Sequence, residues 1–448
     1  MELPYQFNRR EILRIGGLSL FGAALGSSAV TSSPALAGTS SPPTIEPRAK
    51  NCIFILLQGG PSHIDLWDPK PEAPVEVRGP FTTIETGTPG VRFGELLPRT
   101  AKLMRHLAVI RSMEHNFNNH IAGTYVTLTG SNDQPNQDRE AKNEDFPGPG
   151  AVLNYLKPST NVPRSVSLPT WLSIPGPSNR MPGQYGGFLG AVKDPFLITG
   201  EPHKPGFKPL SLTLPDDFSP DRMESRWGLL SQLNATTRYL EDQATRTHDR
   251  LSQSAYELLV DARVRDALDL SKEQAESRDR YGRTKLGQSL LLARRLVEAC
   301  VQFVAYNAFN QEWDTHGGLI GRYKQLVPPM DQAYSALVED LAARGMLDST
   351  LVINTGEFGR TPIINNLNGR DHWPSAYSTV LCGGGIRGGQ VYGASDKKGA
   401  YVANQPVAPA DVLATMWQQL GIAPDAELRD RLNRPQVLSR GRVVEGLL

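Results

Sequence analysis

Apolar positions along this chain fall into two kinds of run. Continuous blocks bounded by glycine or polar residues, at 52–57, 107–110, 301–307, 349–355 and 378–382, read as strands buried on both faces of a parallel sheet. Elsewhere apolar residues recur at three- and four-residue steps. That spacing predicts helices over about 119–128, 150–156 and 319–344, helical character over 96–106, and a helix over 409–420 opened by Pro409-Ala410-Asp411. Residues 167–172 contain Pro169 and predict an edge strand, because proline cannot donate to a ladder. Strands alternating with helices predict a doubly wound α/β fold.

Two stretches interrupt the alternation. Residues 175–220 are rich in proline, glycine and polar residues without a period, which predicts an irregular insertion or lid. Over 226–299 leucines return at mixed three- and four-residue steps, predicting two or three amphipathic helices with charges of alternating sign on a solvated face. The N-terminus has a different logic. Asn8-Arg9-Arg10-Glu11-Ile12-Leu13 is a twin-arginine pattern, followed by an apolar stretch over 15–30 and the small-residue site Ala35-Leu36-Ala37. The expectation is a signal peptide over 1–37, cleaved after Ala37, a linker over 38–50, and a single domain over 51–448. The rival is an uncleaved anchor, for which the glycine-rich apolar stretch is short. Export of a folded protein by the twin-arginine machinery suits a domain loaded with metal beforehand, and no spanning segment is expected after the signal.

A net charge of +1 gives no reason to expect nucleic acid or an anionic membrane surface as partner. Cys52, Cys300 and Cys382 are odd in number, widely spaced and set in or beside strand-like runs, so they read as small buried hydrophobes rather than metal thiolates.

The candidate chemistry lies where the strands end, which is where open α/β sheets bind ligands. Trp313-Asp314-Thr315-His316-Gly317-Gly318 follows one strand and Gly356-Glu357-Phe358-Gly359-Arg360 another, with Gly369-Arg370-Asp371-His372-Trp373 next. Asp314 and His316 are two apart, so in an extended segment both point the same way and present an oxygen and a nitrogen to one cation. The alternative is an Asp that only orients the His. Glu357 ends an apolar strand, where a carboxylate needs a partner, either a metal or Arg360. Of the adjacent pair Asp371 and His372, His372 is the better ligand and Asp371 a ligand or an orienting group. Ser62, His63 and Asp65 follow the first strand; His63 and Asp65 are candidate ligands, and Ser62 a nucleophile if metal or histidine activates it. His115 and His120 flank an Asn-rich turn at a helix start, with His115 a candidate ligand and helix capping the rival role. A donor set of His and carboxylate without thiolate suits zinc, manganese or iron, and calcium where oxygens dominate. No phosphate loop, dinucleotide fingerprint or nucleophile elbow is present.

At these motifs, together with Gly59-Gly60-Pro61-Ser62-His63-Ile64-Asp65, Thr361-Pro362 and Asp371-His372-Trp373-Pro374, the chain resembles domain of unknown function 1501. That bacterial family of exported twin-arginine proteins is placed in the alkaline phosphatase and sulfatase superfamily. The resemblance implies an alkaline-phosphatase-like three-layer α/β/α sandwich with a mainly parallel sheet. It also implies one or two divalent metals held at strand ends by Asp and His, and a Ser, Thr or modified Cys at a helix start attacking phosphorus or sulfur. Asp314 and His316 match a ligand pair, Glu357 stands where an Asp follows a strand, and His372 matches the final ligand His. Gln58 stands where a first-strand Asp ligand is expected, so His63 or Asp65 would have to replace it. Counting back from Thr129-Gly130 puts His120 at the nucleophile position. The expectation is an exported, metal-dependent hydrolase of phosphate or sulfate esters, working in the periplasm or at the cell surface on an anionic ester or glycan, with Arg360 clamping the substrate anion. The alternatives are a non-catalytic exported protein that binds sulfated or phosphorylated glycans or a protein partner through the same pocket, and a structural metal site with function in the 175–220 insertion.

Overall fold

A strand with apolar side chains on both faces has to be covered twice, and the architecture follows from that requirement. The computed structural model describes residues 45–157, 163–173, 180–209, 225, 261–308 and 311–448. The central sheet contains β1 (Asn51–Leu56), β2 (Leu107–Met113), β3 (Ser165–Leu168), β4 (Phe196–Leu197), β5 (Phe303–Asn307), β6 (Thr350–Thr355), β7 (Tyr377–Cys382) and β8 (Gln390–Tyr392). Their order is β8-β2-β7-β6-β1-β5-β3-β4. All pairings are parallel except those of β7, which runs against both β2 and β6.

On β1, Ile53 and Ile55 face one helical layer and Phe54 and Leu56 the other. The first layer contains α3 (Lys285–Glu298) and α4 (Leu319–Ala343), which bury Leu290, Leu291, Tyr334, Leu337 and Leu341. The opposite layer contains α1 (His120–Thr129), α2 (Pro149–Leu156) and α5 (Pro409–Gln419), contributing Ile121, Val152, Leu153, Leu413 and Trp417. Each large aliphatic side chain buried this way contributes roughly 1.5–3 kcal/mol. The result is a three-layer α/β/α sandwich around a mainly parallel sheet.

Three expectations change. Ser165–Leu168 is an inner strand, because Pro169 lies beyond its end and the ladder keeps its donors; the edge is Phe196–Leu197, paired to Val166 and Ser167. Part of the proline-rich insertion therefore extends the sheet. The 96–106 segment divides into a short helix, Pro98–Lys102, and a 3-10 turn, Met104–His106. Within 226–299 the described helices are Ala262–Leu268, Ala275–Tyr281 and α3, joined to α4 by the buried Arg294, which pairs with Glu273 at 2.8 Å and Asp340 at 3.0 Å. The signal peptide, residues 38–44, 175–179, 210–220 and 226–260 lie outside the described residues. Among the described residues no helix is long and apolar enough to cross a membrane.

Candidate metal centre

Because β1, β2, β5 and β6 are parallel, the segments leaving them emerge at one edge of the sheet. Gln58-Gly59-Gly60 leaves β1, Asp314 and His316 follow β5, and Glu357 follows β6. From β2 an Asn-rich turn leads into α1, whose N-cap, Asn119, accepts through its side chain from the Ile121 and Ala122 amides and so fixes His120 in the first turn. A two-stranded hairpin, Gly359–Arg360 against His372–Trp373, brings in His372.

Backbone contact sets the spacing of these segments. Trp313 N donates to Gln58 O at 3.1 Å, and Arg370 N to Thr315 O at 3.0 Å. Gly59 has φ +114, and a Cβ there would lie 2.3 Å from Asp314 N, so the β1 exit lies directly against the Asp314 loop.

Three imidazoles converge on Asp314. His120 has Nδ1 at 2.7 Å from Glu357 Oε1, His316 has Nδ1 at 2.6 Å from Asp371 Oδ1, and His372 has Nδ1 at 2.7 Å from the Asn118 carbonyl. Each of these oxygens only accepts, so each Nδ1 carries the hydrogen and donates it. The Nε2 atoms are left facing inward. His316 and His372 place theirs 3.2 Å from Asp314 Oδ1 and 3.0 Å from each other, while His120 Nε2 lies 3.3 Å from Asp314 Oδ2. His120 Nε2 is buried and has no hydrogen-bond partner. Donor atoms of His120, Asp314 and His372 all lie within 4.8 Å of one another. Phe358 is fully buried and packs against the rings of His120 and His372, giving the cluster an apolar floor.

Without a cation the cluster holds a proton instead. Burial opposes a charge on His120, but the Asp314 carboxylate facing Nε2 and the Glu357 carboxylate on Nδ1 outweigh that and lift it to about 9. Burial pushes the Asp314 carboxyl up, yet the facing His120 and His372 rings and the Arg360 guanidinium hold it well below the usual carboxylate range. Burial lowers His372. An orphaned inward nitrogen, a carboxylate held ionised and three imidazoles in one tautomer together fit a divalent transition metal.

Other predicted site residues have different partners. Glu357 is fully buried, with its oxygens taken by the Gly59 and Gly60 amides at 2.8–3.1 Å as well as by His120, so it orients a ligand rather than facing the cluster. Asp371 likewise orients His316. Asp65 pairs with buried Arg370 at 2.7 Å and accepts from Ser62 Oγ at 2.5 Å, which removes both Asp65 and Ser62 from the cluster. His63 Nε2 donates to the Gly399 carbonyl at 2.8 Å, and burial lowers its pKa to about 4. His115 Nε2 donates to the Glu357 carbonyl at 2.6 Å while its Nδ1 accepts from Phe117 N, and burial likewise lowers it to about 4. Arg360 is fully buried; it donates to the Gly59, Gly60 and Arg370 carbonyls and, at 2.6 Å, to Asp314 Oδ1. It therefore braces Asp314 and presents no open edge to a substrate anion. Gln58 spends its Nε2 on Ser173 O at 2.9 Å and Met181 Sδ at 3.3 Å, while its Oε1 is buried without a partner; His63 and Asp65, committed to Gly399 and Arg370, do not stand in for a first-strand ligand. Sequence reasoning missed the Asn118 carbonyl and the Gly59 and Gly60 amides, since backbone groups leave no signal in residue type.

Residues 49–448 match the family described as "Protein of unknown function (DUF1501)". The chain belongs to the DUF1501 family. No curated protein matches this DUF1501 chain. Similar solved structures include "Ps i-CgsB in complex with k-i-k-neocarrahexaose", at 12% identity and TM-score 0.41, covering 83% of this chain and 72% of that one. They also include the "PsFucS1 sulfatase from Pseudoalteromonas sp.", at 13% identity and TM-score 0.39, covering 84% and 68%. A third is the "alkaline phosphatase from the Antarctic bacterium TAB5", at 10% identity and TM-score 0.35, covering 79% and 95%. At these scores the likeness assigns neither activity nor site to the DUF1501 chain.

Proposed function

We propose that the protein is an exported, metal-dependent hydrolase of phosphate or sulfate esters, with the metal held by Asp314, His120 and His372 and by His316 at the open side. The observation that carries this reading is the convergence of three Nε2 atoms on one ionised carboxylate, each ring locked through Nδ1. The family's resemblance to alkaline phosphatases and sulfatases supports ester hydrolysis as the use of such a centre. A bound divalent ion would supply Lewis acidity to an ester oxygen and acidify water.

The chain's own residues supply the rest. Glu357 and Asp371 hold His120 and His316 with Nε2 inward, Arg360 fixes Asp314, and Phe358 excludes water from below. His316 and Asp371, with side chains 43% and 51% exposed, mark the side open to substrate. At the helix-start position His120 replaces a hydroxyl or thiol, and Ser62 is committed to Asp65, so water is the attacking group in this reading. The twin-arginine pattern supports export to the periplasm or cell surface.

The test is a panel of phosphate and sulfate esters assayed with metal-reconstituted protein beside Asp314→Ala. Turnover that disappears in the variant supports the assignment, and turnover that persists sinks it. A second reading, binding of an anionic glycan without turnover, is favoured by an imidazole in place of a hydroxyl or thiol at His120 and by an uncharged Gln58 in place of a first-strand carboxylate. Saturable glycan binding by fully metallated protein that turns over no ester would establish it.

A further inference from the structure

The number and class of ions follow from how the surrounding donors are committed. We infer that the centre is built for a single imidazole-bound transition-metal ion, and that the buried Arg360 guanidinium takes the place of a second cation. The inference rests on the hydrolase reading only for its site.

Among the described residues one group of three or more His, Cys, Asp or Glu side chains has its donor atoms close enough to hold an ion, and Asp314 is its sole carboxylate. A second ion beside it would need further anionic oxygens, and those of Glu357 and Asp65 are already committed, while Asp371 keeps only Oδ2, on a half-exposed side chain. Both Glu357 oxygens accept from backbone amides, and Oε1 accepts from His120 as well. Both Asp65 oxygens face Arg370, at 2.7 and 3.3 Å, with Ser62 on one of them. Asp371 spends Oδ1 on His316 and on Asn365 at 3.1 Å.

The remaining oxygen-rich spot lies among the Gly59, Gly60 and Arg370 carbonyls next to Asp314 Oδ1, and the Arg360 guanidinium fills it. A permanently charged group 2.6 Å from Asp314 neutralises the one carboxylate and repels a second ion from that side. With that charge offset, affinity falls to neutral imidazole nitrogens, which suit zinc, manganese, iron or cobalt and serve calcium poorly, since calcium requires six to eight oxygens. Calcium, expected only where oxygens dominate, does not fit this donor set.

The test is native mass spectrometry of the mature protein after chelator treatment, reloading with excess Zn²⁺ or Mn²⁺ and desalting, repeated with a 100-fold excess of Ca²⁺. His372→Ala serves as the site control, and circular dichroism confirms its fold. One retained ion per chain, lost in His372→Ala and undisplaced by calcium, is the expected result. Two retained ions, displacement by calcium, or no retained ion would overturn the inference. Ester turnover on the same samples separates the two conclusions: turnover with two ions bound leaves the hydrolase reading standing and removes this one. One ion without turnover does the reverse.

Discussion

An imidazole whose Nδ1 hydrogen is fixed on an oxygen can offer a cation only Nε2, and the strength of that offer depends on what holds Nδ1. Glu357 is the most constrained of the three anchors, a fully buried carboxylate between two backbone amides and His120. Glu357→Gln should weaken metal binding about 10- to 100-fold without altering stoichiometry. Competition against a chromophoric chelator reads this directly, and an unchanged affinity would show that Glu357 does not set the His120 ring. Asp65 makes the opposite case. Its pair with Arg370 is buried on both sides, so Asp65→Asn should cost about 3–5 kcal/mol in denaturant unfolding while the metal content stays the same. Loss of metal with unchanged stability would instead return Asp65 to the ligand set. These two residues also show how far the sequence was legible. Asp314, His316 and His372 announce themselves as polar groups hedged by glycine after apolar strands, but Ser62, His63 and Asp65 carry the same signature. What separates them is Arg370, 305 positions from Asp65, and the Gly399 carbonyl, 336 positions from His63, and single-sequence reading has no access to either pairing.

Elements with a sustained period were visible in advance. The continuous apolar blocks became β1, β2, β5, β6 and β7, and the three- and four-residue steps became α1, α4 and α5. Among the elements that escaped notice are strands of two or three residues, too short to show alternation: Phe196–Leu197 and Gln390–Tyr392 at the two sheet edges, and the Gly359–Arg360 and His372–Trp373 pair that carries His372 to the centre. Glycine does part of the positioning between elements. Gly59 combines φ +114 with backbone atoms of Trp313 and Asp314 inside 3 Å of any added Cβ, and backbone cannot yield as a flexible side chain would. Gly90 has φ +78 but nothing within 4 Å, so it isolates the cost of backbone conformation alone. Gly90→Ala should lose about 1 kcal/mol and keep its metal affinity. Gly59→Ala should lose more, and should also weaken metal binding at least several-fold by pushing the Asp314 loop outward. Thermal melts and chelator competition on both variants check the pair, and equal metal affinity in the two would show that contact with the β1 exit does not place Asp314.

At the scale of the whole molecule, the buried histidines couple stability to pH. In the folded, metal-free protein burial holds both His63 and His115 at about 4, against 6.5 for an ordinary histidine. A folded value below the unfolded one means that protonation favours the unfolded chain. The penalty is absent above 6.5 and grows as pH falls toward 4, reaching on the order of 3 kcal/mol for each group. Asp194 works against this. Burial raises its folded value from 3.8 to about 6, so its destabilising charge is relieved across the same window and offsets roughly one of the two histidines. His120 does not mask the effect, because a folded value of about 9 gives stability that is already complete below 6.5 and is lost only as pH rises through 9. From His63, His115 and Asp194 together, chelator-treated protein should therefore lose an amount on the order of 3 kcal/mol between pH 6.5 and 4. Urea unfolding at half-unit steps would show this, and His63→Gln should flatten most of the slope, because it removes one of two groups while Asp194 still offsets the other. A slope identical in wild type and His63→Gln would mean that His63 is not held neutral in the folded protein.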